Sequence, residues 1–165
     1  MLSFCTFFRV CKGANFSLHC NYASVSIIGE YMINVKKARQ VTHPLKNAVS
    51  RQIGGAERLY EVASDVANYG ANAGWGNFVY YSDTVAFTKR HKQKIISCLK
   101  EDALNCGESF ANFVSGFNCF KSMTQDEVID GLYNPKSVHM IIVHNGLAWY
   151  ALESVCYTIV NECEL

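Results

Sequence analysis

The chain has 165 residues, half of them hydrophobic, with eight cysteines and a formal net charge of +1. This length and apolar content are enough for one domain with a sizeable core, and the aromatic residues spread along the chain argue against disorder. The near-neutral charge gives no global reason to expect a nucleic acid, an anionic membrane or an acidic substrate as partner.

We interpret the cysteines as reduced thiols. The chain contains no Cys-x-x-Cys motif, and the cysteines after residue 32 are five in number, mostly at positions where a helical pattern favours a small apolar residue: Cys98, Cys106, Cys119, Cys156 and Cys163. An odd number of scattered cysteines is not typical of a disulfide framework or of a structural zinc site. We therefore expect a cytoplasmic protein with no metal and no cofactor.

Residues 1–31 differ from the rest of the chain because they show no helical period. Arg9 and Lys12 follow the apolar stretch 2–8 instead of preceding it, which argues against a signal peptide, and the stretch is too short to span a membrane. Codons for Gly29 and Glu30 can form a bacterial ribosome-binding site just before Met32. The sequence thus predicts one helical domain over 32–165, with residues 1–31 either a disordered tail or an extension absent from the natural protein.

Helical patterns begin at Pro44, which suits the first position of a helix that Gly54-Gly55 ends. Residues 56–69 then form an amphipathic helix, with apolar residues at Leu59, Val62, Ala63 and Val66. After the glycine-rich segment 70–77 comes the aromatic run 78–81, for which a short strand is left open. Ser82 or Asp83 is predicted to cap the next helix, which Gly107 closes.

Two short helices and one long helix complete the predicted fold. Phe110, Phe113, Val114 and Phe117 follow a helical spacing, and Thr124 with Glu127 forms a capping box for a helix that stops before Asn134-Pro135. The last element, Val138–Cys163, is apolar nearly all round and is predicted to be a buried central helix; His144, Asn145 and Glu153 disfavour a membrane span. The expected fold is mainly α, with about six helices around this helix and one glycine-rich aromatic loop.

Glu153 stands out on this apolar element, because Tyr150 and Tyr157 lie three residues before it and four after it. Either this line of residues faces solvent, or the carboxylate is buried and hydrogen-bonded to a tyrosine.

The loop before Asp83 is the best candidate for a binding site. Its candidate residues are Trp75, Asn77, Tyr80, Tyr81, Ser82 and Asp83. Glycines that permit close approach, aromatic rings with polar tips and a helix N-terminus can together hold an anion, a base or a partner's side chain. The alternative is structural: the glycines permit a turn, the aromatic rings fill the core and Ser82 or Asp83 caps the helix. Neither phosphate-binding nor dinucleotide-binding glycine motifs are present.

Two other groups of residues are candidates for a nucleic-acid site and a metal site. Basic residues cluster at 89–94 and at Lys36, Lys37 and Arg39, but in a neutral chain such runs are typical of a solvated helix face, so nucleic acid is not expected. His139 and His144 are five residues apart, whereas a zinc pair on one helix face needs a spacing of four, so no metal site is expected.

The segment 68–87, with Tyr80-Tyr81-Ser82-Asp83-Thr84-Val85-Ala86-Phe87 at its end, resembles an uncharacterised domain of bacteriophages and prophages that shares a YY[ST]DTVAF-like core. The similarity covers about residues 44–120 and also 147–153. It implies an origin on a mobile element, and neither an activity nor catalytic residues.

We therefore expect a binding module rather than an enzyme, with a host protein, for instance one in a defence complex, as partner. This expectation is an association with small phage accessory proteins. The alternative is a small enzyme or ligand-binding protein that acts on a nucleotide or peptide through the Trp75–Asp83 loop.

Overall fold

The computed structural model describes residues 33–69 and 81–163. These residues form seven α-helices and one 3-10 helix, without a strand. The helices are α1 (Val35–Gln40), α2 (Lys46–Ile53), α3 (Ala56–Tyr69), α4 (Tyr81–Asn105), α5 (Phe110–Ser115), the 3-10 helix (Asn118–Phe120), α6 (Gln125–Tyr133) and α7 (Met140–Cys163). The mainly helical fold that the sequence predicts is confirmed.

Helix α7 lies at the centre of the fold. Of its 24 residues, 14 are buried, and they occur on all sides of the helix. It packs against α1, α2, α3, α4 and α6, which together cover most of its apolar surface. This confirms the predicted buried C-terminal helix. Within the two described segments, no helix combines the length and the apolar character that crossing a bilayer requires.

Several predicted helix ends are confirmed. Gly54 and Gly55 end α2 with φ of 105° and 123°, a left-handed conformation that glycine adopts at little cost. Thr124 and Glu127 form both hydrogen bonds of the predicted capping box at the start of α6. The start of α2 differs from the prediction: residues 44–45 form a turn, so Pro44 precedes the helix instead of beginning it.

The start of α4 also corrects the sequence analysis. The helix begins at Tyr81, so Ser82 and Asp83 lie inside its first turn and do not cap it. The short strand left open at 78–81 is therefore wrong for Tyr81, while its other residues lie outside the described segments. Helix α4 therefore starts earlier in the chain than a cap at Ser82 or Asp83 would place it.

The short helix α1 was not predicted. The side chain of Asn34 caps it by accepting a hydrogen bond from the backbone N–H of Lys37 at 3.1 Å. At its other end, the Lys46 ammonium donates to the carbonyls of Ala38 and Val41 at 2.7 and 2.8 Å. A helix of six residues has too few turns to show a period, and Lys46 belongs to the next helix.

Four of the five described cysteines agree with the predicted thiols. Cys98, Cys119, Cys156 and Cys163 lie outside any disulfide. Cys106 is disulfide-bonded, so the prediction of a thiol at this position is wrong. Cys106 is half-exposed just after the end of α4, unlike the buried Cys98 and Cys156 within helices. Spacing along the chain did not reveal this difference in accessibility.

Candidate functional site

The structure describes only the end of the predicted binding loop. Trp75, Asn77 and Tyr80 lie outside the described residues, and Tyr81 is the first residue of α4. Ser82 and Asp83 are exposed on the first turn of this helix. A carboxylate at this place interacts favourably with the positive end of the helix dipole. Binding through this loop stays a prediction.

The second half of the motif that carries the resemblance is part of the core. Thr84, Phe87 and Thr88 are buried on the inner face of α4. The Thr84 hydroxyl donates to Oδ1 of Asn145 at 2.5 Å, and the Thr88 hydroxyl donates to the carbonyl of His144 at 2.6 Å. These two bonds join α4 to α7, and since Thr84 and the buried Phe87 belong to the motif, its second half contributes to the fold.

His144 is a buried histidine on α7 beside these threonines. Its side chain is 4% exposed, and neither ring nitrogen has a hydrogen-bond partner among the described residues. Burial lowers the pKa of this imidazole, and the nearby Lys92 and Lys89 of α4 lower it further, while a weak interaction with the Leu132 carbonyl opposes them. His144 is therefore held in its neutral form.

The middle of α4 carries a strip of positive charge. We define the basic strip as Lys89, Arg90, Lys92 and Lys94, none of which forms an ion pair within the described part of the chain. His91 lies among them, and its pKa is lowered by burial and then by Arg90 and Lys94. The strip is thus a surface on which positive charges stand together without carboxylates to neutralise them.

An exposed apolar surface lies where α6 leads into α7. We define the apolar patch as Tyr133, Val138, Ile141 and Ile142, which are all classed as exposed. Val138, directly before α7, is 87% exposed. Single exposed apolar residues are normal on proteins, but four within residues 133–142 are a feature of binding surfaces.

Residues of both charge signs lie near Tyr133 of the apolar patch. The Lys92 ammonium lies 5.6 Å from the centroid of the Tyr133 ring, a distance suited to a cation–π contact. On α6, Asp126 and Asp130 are exposed at positions seven and three residues before Tyr133, which places them on the same helical face. The patch thus has a basic edge and an acidic edge.

A chain of polar side chains crosses the opposite half of the core. The backbone N–H of Leu45 donates to Nδ1 of His43 at 3.1 Å, so the ring proton is on Nε2, which donates to the Ser154 hydroxyl at 3.0 Å. Tyr150, one turn before Ser154, donates to the carboxylate of Asp102 on α4. A histidine that activates a serine nucleophile must accept its proton, and His43 is instead the donor.

Glu153 is buried at the centre of α7, with 5% of its surface exposed. The alternative that this line of residues faces solvent is therefore wrong. Tyr150 does not bond to it, since the Tyr150 hydroxyl donates to Asp102. The Tyr150 hydroxyl bonds instead to Asp102, which lies 48 residues away on another helix. A pattern within one helix does not reveal such a contact.

The sequence analysis did not identify the apolar patch as a surface. It assigned Val138 and its neighbours to the apolar side of the last helix, because a uniformly apolar helix shows no exposed face. The helix break at Asn134-Pro135 was the signal in the sequence that could have indicated this exposed surface. Residues at a junction between two helices have fewer neighbours than residues in the middle of a buried helix. Within the described segments, no three histidine, cysteine, aspartate or glutamate residues are grouped so that they could hold a metal ion.

Comparison with known proteins matches the chain to a protein family. The model of a family described as a domain of unknown function, DUF7222, matches residues 40–165. No curated protein and no solved structure matches the chain. The matched range includes every helix from α2 to α7, both the basic strip and the apolar patch.

Proposed function

We propose that this chain, which belongs to the family described as a domain of unknown function (DUF7222), is a non-catalytic module that binds a bacterial host protein. The apolar patch is the observation that supports this proposal. Its aliphatic side chains would leave water on binding, at about 25 cal/mol for each Å² of apolar surface buried. Ile141 and Ile142 stand on the first turn of α7 and Val138 in the turn before it, so little backbone order is lost when they are covered.

The polar groups of the core also favour binding over catalysis. His43 and Ser154 have the polarity opposite to that of a base and its nucleophile. The hydrogen bond between Tyr150 and Asp102 joins two helices, and burial raises the pKa of both groups. These groups explain how α7 is held in place, and they leave the outer surface for function.

The resemblance of residues 68–87 to a phage and prophage domain supports an accessory role on a mobile element, with a host protein, for instance one in a defence complex, as target. We place the protein in the host cytoplasm on the basis of the four thiols, although Cys106 is disulfide-bonded. Sequencing the DNA around the gene tests the first point, since phage genes should flank it. Alkylation during denaturing lysis of cells without reductant, followed by mass spectrometry, tests the second, and Cys98, Cys119, Cys156 and Cys163 should all be modified.

Capture of host proteins by a surface variant tests the proposed function. The wild-type protein, Val138→Asp and Leu104→Asp are each immobilised and exposed to bacterial lysate. Leu104, at the end of α4, is 78% exposed and is the matched control for Val138. We expect one stoichiometric partner for the wild type and for Leu104→Asp, and its loss with Val138→Asp. A partner that Val138→Asp retains, or no partner at all, contradicts the proposal.

A further inference from the structure

We infer that the apolar patch and the basic strip form one docking surface, and that its occupant is an acidic amphipathic helix of a partner protein. This inference rests on the proposed function and names the chemistry of the partner segment. The contact between Lys92 and the Tyr133 ring carries it, because it makes the strip and the patch continuous. A segment lying on the patch therefore has its flank over the strip.

The apolar half of this surface fits a helix. Ile141 and Ile142 lie side by side on the first turn of α7, and Val138 precedes them by three and four residues. Exposed apolar side chains in this segment suit another helix, which can place apolar residues spaced three and four apart against them. Three of the four patch residues are aliphatic and offer no stacking surface for nucleic-acid bases.

The basic strip determines which sign of charge the partner segment carries. Lys89 and Lys92 lie on the side of α4 that faces α7, as their effect on His144 shows. Neither forms an ion pair within the described segments, so a partner's carboxylate would meet ammonium groups that no carboxylate of those segments pairs with. Pairing at the rim of an interface fixes orientation and speeds association. The partner helix thus carries Asp or Glu along the edge that lies over α4.

The carboxylates beside Tyr133 argue against a polyanion. Asp126 and Asp130 are exposed on α6 beside Tyr133, and a nucleic acid or an anionic membrane that covered the patch would meet their carboxylates. Glu127 adds a third carboxylate, 3.7 Å from His139. A peptide has charges that differ from one edge to the other, so it can match a basic edge and an acidic edge at once.

Selection from a displayed library of random peptides tests the inference with full-length protein. The proteins compared are the wild type, Lys89→Glu/Lys92→Glu, Val138→Asp and Leu104→Asp, each checked by its melting curve. The wild type should select peptides with apolar residues spaced three and four apart and an excess of Asp and Glu. The double variant should bind these peptides at least about tenfold more weakly and should select Lys and Arg instead. If it does not fold, Lys89→Gln/Lys92→Gln should still remove the acidic preference.

The other outcomes separate this inference from the proposed function. The inference is overturned if the wild type selects peptides without an acidic excess, or if Lys89→Glu/Lys92→Glu binds the selected peptides as tightly as the wild type does. If Val138→Asp still abolishes peptide binding in that case, the protein-binding role stands. Peptides that Val138→Asp retains, or no selected peptide, overturn both. Single-stranded RNA or phosphatidylglycerol vesicles that bind through Lys89 and Lys92 assign the strip to phosphates. A homodimer that Val138→Asp dissociates makes a second copy the occupant. Either result overturns the inference.

Discussion

The hydroxyl of Tyr150 donates a hydrogen bond to the carboxylate of Asp102, and this bond joins the central helix α7 to α4. Burial raises the pKa of Asp102, whereas the hydrogen bond from Tyr150 lowers it. Burial, together with the nearby Asp102, raises the pKa of Tyr150 well above its usual value. The hydrogen bond from Tyr150 therefore favours the charged carboxylate between two packed helices and partly offsets the effect of burial.

Replacing Tyr150 with phenylalanine should destabilise the protein at neutral pH. The carboxylate of Asp102 would lose its donor while it stays partly buried, which costs about 1.5–3 kcal/mol for a hydrogen bond to a charged group. Its pKa should rise further, so the loss should shrink at low pH, where the carboxyl is protonated. Urea unfolding at about pH 7 and pH 4 measures both effects.

Tyr133→Phe is the matched control for this change. The Tyr133 ring is exposed on the apolar patch, so losing its hydroxyl should alter the free energy of unfolding by less than about 0.5 kcal/mol. If Tyr150→Phe is as stable as this control, water solvates Asp102 and the bond does not hold the helices together.

The unfolding free energy should fall as the pH drops from about 7.5 to about 5.5. Burial lowers the pKa of His144, His43 and His91 below the usual value, so the unfolded chain binds protons in this window and the folded chain does not. Stability is thus fully present above the unfolded pKa and is lost as the pH falls below it. Asp102, with its raised pKa, acts in the opposite sense and at lower pH.

His144→Leu should reduce this pH dependence and stabilise the protein at low pH. Leucine has a similar volume and removes two buried ring nitrogens that lack partners among the described residues. Chemical denaturation of the wild type and the variant at both pH values gives the two slopes. Equal slopes would show that His144 takes up its proton without unfolding.

Gly146→Ala should lower the free energy of unfolding by roughly 1–2 kcal/mol. A Cβ atom at this position would lie 2.6 Å from Cζ of Phe120, whose side chain is fully buried. Overpacking typically costs about 1–3 kcal/mol, which exceeds the gain of about 0.5–1 kcal/mol in helix propensity. Asn161→Ala, exposed on the same helix, should show the propensity gain alone. A Gly146→Ala variant as stable as Asn161→Ala would mean that Phe120 can shift.

The helices that the sequence predicted are those in which local signals agree. In α3 and α6, the apolar period, the caps and the glycine or proline breaks all indicate the same boundaries, as Gly54-Gly55 and the Thr124–Glu127 box show. In helix α1, the local sequence signals do not agree in this way on the boundaries of the helix. Its end is fixed by Lys46, which donates to carbonyls five and eight residues earlier. That contact depends on how α2 folds back on α1, and no local pattern encodes it.

The surfaces were harder to predict than the helices. A uniformly apolar α7 gave no sign that Val138 and Ile142 would remain exposed, because exposure depends on where α6 stops. The basic residues of α4 were noted from the sequence, but their neighbour Tyr133 lies on another helix, and so their contact was not foreseen. Similarly, His43 and Asp102 gain their partners from α7 across the core.

The aromatic residues Trp75, Tyr80 and Tyr81 are predicted to contribute to binding more than to stability. Gly74 and Gly76 flank Trp75 and permit close approach of a partner, and Ser82 and Asp83, which continue the segment, are exposed. We expect that Trp75→Ala, Tyr80→Ala and Tyr81→Ala melt like the wild type and that at least one no longer captures the host protein. Phe87→Ala, in the same motif but buried, is the control and should lose about 3 kcal/mol or more. If all three variants lose as much as Phe87→Ala does, these aromatic residues belong to the core and the partner binds elsewhere.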